Sequence, residues 1–168
     1  MLGASAVSSR RAPRMLASLW RQGARSLWCP ETPRLEGQRA LVTGGSEGVG
    51  LGTCRGLLQR GARVIMASRS AAKAERACAQ LRDEFGADAP VAFLPLDLSD
   101  LSRVREAALT LATQLDGQRF DVLICNAGLW PLRHEVSPQG HELAFATNVL
   151  GHFLLLRHLA GRQLAVDA

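Results

Sequence analysis

The chain has 168 residues, 47% hydrophobic and 21% charged, enough apolar material for one globular domain with a buried core. That balance excludes a disordered acidic chain and a coiled coil, and no run reaches the ~18 apolar residues of a membrane-spanning helix. The net charge of +5 is unevenly spread: residues 1–30 hold Arg10, Arg11, Arg14, Arg21 and Arg25 and no acid, so fifteen bases face fifteen acids in the remainder. A basic tail on a neutral body argues against a nucleic-acid-binding face.

Residues 1–35 read as a leader and residues 36–168 as the folded body. The leader is rich in Arg, Ser and Ala and has no acid before Glu31, the composition of a mitochondrial transit peptide. Residues 14–21 can coil with Leu16, Leu19 and Trp20 on one face and arginines at its edges, a form suited to an import receptor or an anionic lipid surface. A secretory signal needs a continuous apolar stretch, which this segment lacks. Mitochondrial localisation is the expectation. The alternative is an unstructured basic leader on a cytoplasmic or endoplasmic-reticulum-associated protein.

The body alternates regularly. Ala40-Leu41-Val42 has the length of a buried strand and runs into a glycine-rich turn. Gly48 to Arg60 reads as a helix with Gly61 as its stop signal. Val64 to Ala67 is a second strand, and Ser70 can cap a helix from Ala71 to Phe85 that closes at Gly86. Val91 to Leu96 is a third strand. A helix starting at Ser99 or Asp100 follows, with Leu101, Val104, Ala108, Leu111 and Leu115 at helical spacing. Val122 to Cys125 is a fourth strand, and a last helix runs from Gly140 to Ala160. Short apolar strands separated by amphipathic helices give βαβ units and a parallel sheet covered on both faces. Right-handed crossovers put strand 1 inside, with strands 2 and 3 on one side and strand 4 on the other.

Cys29, Cys54, Cys78 and Cys125 show no CxxC or Cys/His ligand spacing, so they read as buried structural thiols of a reducing, intracellular compartment, and no metal site is expected. His134, His141, His152 and His158 read as satisfied structural histidines. Trp130 either lines a cleft or packs on the surface, and Glu142 complements a helix dipole.

The chemistry starts at Thr43-Gly44-Gly45-Ser46-Glu47-Gly48-Val49-Gly50, a glycine-rich turn after a strand and before a helix. Gly44 permits the tight turn, Gly48 lets the backbone approach phosphates and Gly50 lets the helix lie close, with N–H groups at the helix start facing the anion. The spacing is T-G-x-x-x-G-x-G rather than G-x-G-x-x-G. Asp97-Leu98 after strand 3, Asn126-Ala127-Gly128 after strand 4 and Asn148-Val149-Leu150-Gly151-His152-Phe153-Leu154-Leu155 follow in order. Over residues 39–157 the sequence resembles the short-chain dehydrogenases/reductases. The last string, with Ala67-Ser68-Arg69, looks most like their retinol dehydrogenase-like branch.

The resemblance implies an α/β fold, a Rossmann-type doubly wound parallel sheet truncated after strand 4 and its following helix. It implies that Gly44, Gly48 and Gly50 cradle a cofactor pyrophosphate, with Thr43, Ser46, Glu47 and Val49 in the same loop. Asp97 then accepts from the adenine amino group, Leu98 packs near the ring, Asn126 braces the sheet, and Ala127 and Gly128 let the cofactor come close. Asn148 holds the water of a proton relay by bending its helix. An acid at the end of strand 2 normally selects NAD; Arg69 stands there instead and can clamp a 2′-phosphate, so NADP is expected over NAD. The implied activity is hydride transfer between a nicotinamide dinucleotide and a retinoid, steroid or lipid-like carbonyl or alcohol.

The family's acid/base is a tyrosine with a lysine four residues on, and its substrate oxygen is oriented by a serine. These 168 residues contain no tyrosine, and their single lysine, Lys73, falls on the helix after strand 2. Of the catalytic set only Asn148 is present. The chain therefore reads as the cofactor half of an oxidoreductase. One alternative is an inactive nucleotide-binding or partner-binding isoform that joins a second copy or a full-length paralogue through Leu150, Phe153, Leu154 and Leu156 of the last helix. Another is a chain that does not fold stably, since strand 4 without a further neighbour is an exposed apolar edge.

Overall fold

The computed structural model describes residues 33–115 and 117–160; residues 1–32, with Trp20, Trp28 and Cys29, and residues 161–168 lie outside the described residues, while Leu35, expected in the leader, packs against the core of the body. The fold sits within the compact unit Arg34–Ala168.

Four strands form the sheet: β1 (Arg39–Thr43), β2 (Arg63–Ser68), β3 (Val91–Pro95) and β4 (Val122–Ile124). All pairs are parallel and the order is β3-β2-β1-β4, with Leu41 opposite both Ile65 and Leu123. Three helices cross between them: α1 (Gly48–Gln59), α2 (Ala71–Phe85) and α3 (Leu101–Leu115). Successive side chains of a strand point to opposite faces, and the core divides accordingly. Ala40, Val42, Val64 and Met66 face Leu57 and Leu58 of α1 and Ala77 and Leu81 of α2. Leu41, Ala67 and Leu94 face Val104, Ala108 and Leu111 of α3, with Leu155 and Leu159 beyond. Both faces are covered, so every strand reads as a solid apolar run.

Local signals set the helix ends. The Ser70 hydroxyl accepts from the Lys73 N–H at 3.4 Å, and α2 stops at Gly86, whose φ of +102° suits glycine. Of the two candidate starts for α3, Asp100 does the work: its carboxylate accepts from the Ser102 N–H at 2.9 Å. The Gln139 amide and that N–H hold the Asp100 carboxyl below its usual range.

Two expectations need correction. Cys125 is exposed, whereas Cys54 and Cys78 are buried free thiols. Desolvation pushes Cys54 up to about 12 and raises Cys78 as well. The last helix, expected as one piece from Gly140, begins only at Leu143 as α4 (Leu143–Phe145), passes through a π-helical stretch (Ala146–Gly151) and continues as α5 (His152–Leu159). Its start is fixed by Glu142, whose carboxylate accepts from the N–H groups of Ala144 and Phe145 at 2.9 and 2.7 Å. Those two bonds hold its carboxyl below the usual range. Glu142 is thus a direct cap as well as a charge near the dipole. Residues before it are taken up by a turn in which Gly140 has φ +80°. No helix among the described residues is long and apolar enough to cross a membrane.

Candidate functional site

The carboxyl ends of the four parallel strands open onto a cleft of about 310 Å³. In a doubly wound sheet that is where ligands bind, outside the point at which strand order reverses, here between β1 and β4. Of the fourteen positions singled out in the sequence, all but Gly48 and Asn148 line this one cleft.

The glycine-rich turn is held from three sides. Gly44 has φ +66°, and a Cβ there would stand 2.8 Å from the Ala127 Cα. Its N–H donates to Ala67 O at 2.8 Å, which ties the turn to β2. A Cβ on Gly50 would meet Gly44 O at 2.2 Å and the Asn126 amide at 2.6 Å, so only glycine lets α1 start this close to the strand ends. The Ser46 and Ser68 hydroxyls bond at 2.9 Å, joining the crown of the turn to the end of β2. Gly48 has φ +55° with nothing near a Cβ. Glu47 stands at the N-cap of α1 but makes no side-chain cap bond; its carboxylate accepts from Lys73 Nζ at 2.9 and 3.0 Å. The first turn of α1 is therefore not capped by a side chain, as an anion site requires.

Across the cleft, the Asn126 amide donates to Thr43 O at 3.0 Å and to Gly44 O at 3.3 Å. Buried Thr43 is the hub. Its hydroxyl oxygen accepts from the N–H groups of Asn126 and Ala127 at 3.0 and 3.1 Å and lies 2.9 Å from His152 Nε2. With both lone pairs occupied, the hydroxyl proton is shared between Nε2 and the more distant Ile124 O at 3.4 Å. His152 then carries its own proton on Nδ1 and donates it to Asn148 O at 3.1 Å. The histidine is buried and satisfied at both nitrogens, and it ties the π-helical stretch to the end of β1.

Asn148 is outside the cleft lining because its amide faces the chain after β4, accepting from Leu129 N and donating to Leu129 O, both at 2.9 Å. Asp97 Oδ1 accepts from the Ser99 N–H and hydroxyl, which fixes the carboxylate at the rim. Leu98 is buried in the core, and a Cβ on Gly151 would meet its carbonyl oxygen at 2.3 Å. Arg69 projects from the end of β2 as an exposed cation. Trp130 is 87% exposed and takes no part in the lining.

Sequence reasoning missed three contributors. Gly45 is required because a Cβ would meet Met66 and Cys54 at 2.7 and 2.9 Å, and Gly151 because of the Leu98 carbonyl. Thr147 lines the cleft with a buried hydroxyl that has no hydrogen-bond partner. An uncapped helix start, a glycine cradle and an orphaned buried hydroxyl suit a polar, anionic ligand such as a nicotinamide dinucleotide.

Residues 38–164 match the family model described as short chain dehydrogenase. Mouse retinol dehydrogenase 14 is 39% identical over 136 residues, covering 76% of this chain and 40% of that protein. Human retinol dehydrogenase 13 is 36% identical over 127 residues, covering 76% and 38%. The chain thus spans about two fifths of the length of these curated relatives. Among solved structures, the Pseudomonas aeruginosa RhlG/NADP active-site complex superposes with a TM-score of 0.59 at 35% identity, over 77% of this chain and 50% of that one. A metagenomic short-chain oxidoreductase in complex with NADP gives 0.64 at 29% identity, over 76% and 56%. Sheet order, glycine turn and these matches lead to one conclusion: the chain belongs to the short-chain dehydrogenase family.

Proposed function

We propose that the cleft binds a nicotinamide dinucleotide, NADP in preference to NAD, and that the chain supplies the cofactor-holding part of an oxidoreductase acting on a retinoid, steroid or lipid-like carbonyl or alcohol. The observation that carries this reading is the cleft itself, with a glycine-built turn at an uncapped helix start and a cation, Arg69, at the end of β2. Gly44, Gly48 and Gly50 with the first N–H groups of α1 would hold the pyrophosphate. Thr43 and Asn126 keep the two turns in register, and Val49, Ala127 and Gly128 leave room for the rest of the dinucleotide. Asp97 and Leu98 stand at the adenine end, and Arg69 reads the ribose 2′ position. Thr147 offers the cleft one more donor. Two of the superposing structures are NADP complexes by name, which supports the cofactor class.

When bound, the dinucleotide supplies a hydride; this chain's residues orient it and exclude the NAD-selecting acid. Titrating the full chain with NADPH and NADH, before and after Arg69→Ala, tests the reading. The wild type should prefer NADPH, and the substitution should remove roughly 1.5–3 kcal/mol of that binding, as expected for a charge-assisted clamp. Equal wild-type affinities would sink the preference.

A second reading, a non-catalytic nucleotide-binding or partner-binding isoform, is favoured by a specific surface. Of the residues expected there, Phe153 and Leu156 are 63% and 38% exposed, joined by Phe145 and Val149 at 50% and 48%, whereas Leu150 is half-buried and Leu154 packs against the core. Contiguous apolar exposure of this kind marks a contact face. A second copy or a full-length paralogue is the proposed partner. Sedimentation of the chain alone and with a paralogue decides it, and a strict monomer that ignores the paralogue counts against it.

A further inference from the structure

A loop built to hold a polyanion carries an acid at its crown. Glu47 lines the cleft beside Ser46, and a carboxylate there repels any phosphate brought to the end of β2. The structure answers that charge with the only lysine in the sequence: Lys73, in the first turn of α2, places Nζ 2.9 and 3.0 Å from the two Glu47 oxygens. The two residues also line a notch of about 230 Å³ next to the cleft, shared with Ser46 and Arg76. Cleft and notch meet at Ser46 and Glu47, and the Ser46–Ser68 bond sets that junction 2.9 Å from the end of β2, one residue before Arg69.

We infer that the Glu47–Lys73 pair sets how strongly the site discriminates for a phosphate on the ribose 2′ position; this rests on the reading of the cleft as a dinucleotide site. In the resting arrangement Lys73 is paired with Glu47 in the notch, and Arg69 is the cation that lines the cleft itself. Removing the carboxylate frees Lys73 to turn toward that phosphate. Removing the lysine leaves the carboxylate bare to repel it. Glu47 is thus an attenuator and Lys73 its counter-charge, and the two act on the 2′-phosphate rather than on the pyrophosphate held by the turn.

The test uses adenosine 2′,5′-bisphosphate against adenosine 5′-monophosphate, two probes that differ at the group in question, titrated calorimetrically into the full chain at low salt. The affinity ratio in wild type should exceed one. Glu47→Gln should raise it, and Lys73→Met should lower it, each by about threefold to fivefold, the scale of an exposed charge interaction. The double variant should return near wild type, and 0.5 M salt should shrink every difference. Both positions are exposed, and unchanged melting curves show that the variants fold. A wild type that does not distinguish the probes overturns the cofactor reading and the inference together. A wild-type preference that collapses in Arg69→Ala, yet stays within twofold in Glu47→Gln and Lys73→Met, overturns the inference alone.

Discussion

Thr43 shows how one hydroxyl can organise a site. It is fully buried and serves two backbone N–H donors and one imidazole acceptor, drawn from β4's exit turn and the last helix. Valine has nearly the same shape but satisfies none of them. Thr43→Val leaves the Asn126 and Ala127 N–H groups and His152 Nε2 without partners in a buried place, and each such orphan costs about 1–3 kcal/mol before relaxation. We expect at least about 2 kcal/mol of lost stability in urea, with Thr43→Ser within about 1 kcal/mol of wild type, since serine keeps the oxygen. A Thr43→Val variant as stable as Thr43→Ser would mean that the network relaxes around its loss. The sequence displayed Thr43 as the first letter of a turn motif, but the His152 contact spans 109 positions and has no local signature.

At the scale of elements, glycines divide into those that allow contact and those that merely interrupt a helix. In α1, Gly52 is exposed and a Cβ there would meet nothing within 4 Å. Gly52→Ala should therefore stabilise the chain by about 1 kcal/mol, the helix-propensity difference. Gly151 is the opposite case: its Cβ would sit 2.3 Å from the Leu98 carbonyl, a backbone atom that cannot swing aside. Gly151→Ala should push the last helix away from the end of β3, lowering the urea midpoint by an amount matching about 1–3 kcal/mol. Weaker NADPH binding should accompany it, because Leu98, the residue contacted, and Thr147, one turn earlier in the helix, both line the cleft. Two substitutions of one type with opposite signs are checked by a single pair of denaturation curves. These cases also show what was legible beforehand. The four strands, three crossover helices and their order follow from solid apolar runs, helical spacing and caps such as Ser70, all of which are local. The π-helical stretch is not local. Thr147, Asn148 and Gly151 are weak helix formers, and the family resemblance implied a bend at Asn148, but the π-helical form accompanies contacts with Leu129, Thr43 and Leu98, which the fold alone brings there.

For the molecule as a whole, the separation of binding from chemistry decides what the chain can do. In the reading proposed above, what is assembled at the strand ends would hold and orient a dinucleotide: the glycine turn, the Thr43 hub, Asp97 and Arg69. Hydride transfer to a carbonyl also needs a proton donor placed at the developing alkoxide, and positioned acid/base help is worth roughly 10²–10⁴-fold. The family's donor is a tyrosine, and these 168 residues have none. His152 is committed to Thr43 and Asn148 O and the Asn148 amide to Leu129, while the unpaired Thr147 hydroxyl in the cleft is a plain alcohol and a weak proton donor. Binding a cofactor without stabilising a transition state does not accelerate a reaction. We therefore expect the 168-residue chain to quench its tryptophan fluorescence with NADPH while leaving the NADPH absorbance unchanged in the presence of retinal, steroid ketones or quinones. Turnover that rises with enzyme concentration and disappears in Gly50→Val, where a side chain would strike Gly44 O, would show that another residue of this chain supplies the proton. Adding a full-length paralogue distinguishes the remaining case. If activity then exceeds that of the paralogue alone, and falls when Phe153 is changed to Asp, the apolar side of the last helix is where a catalytic partner joins.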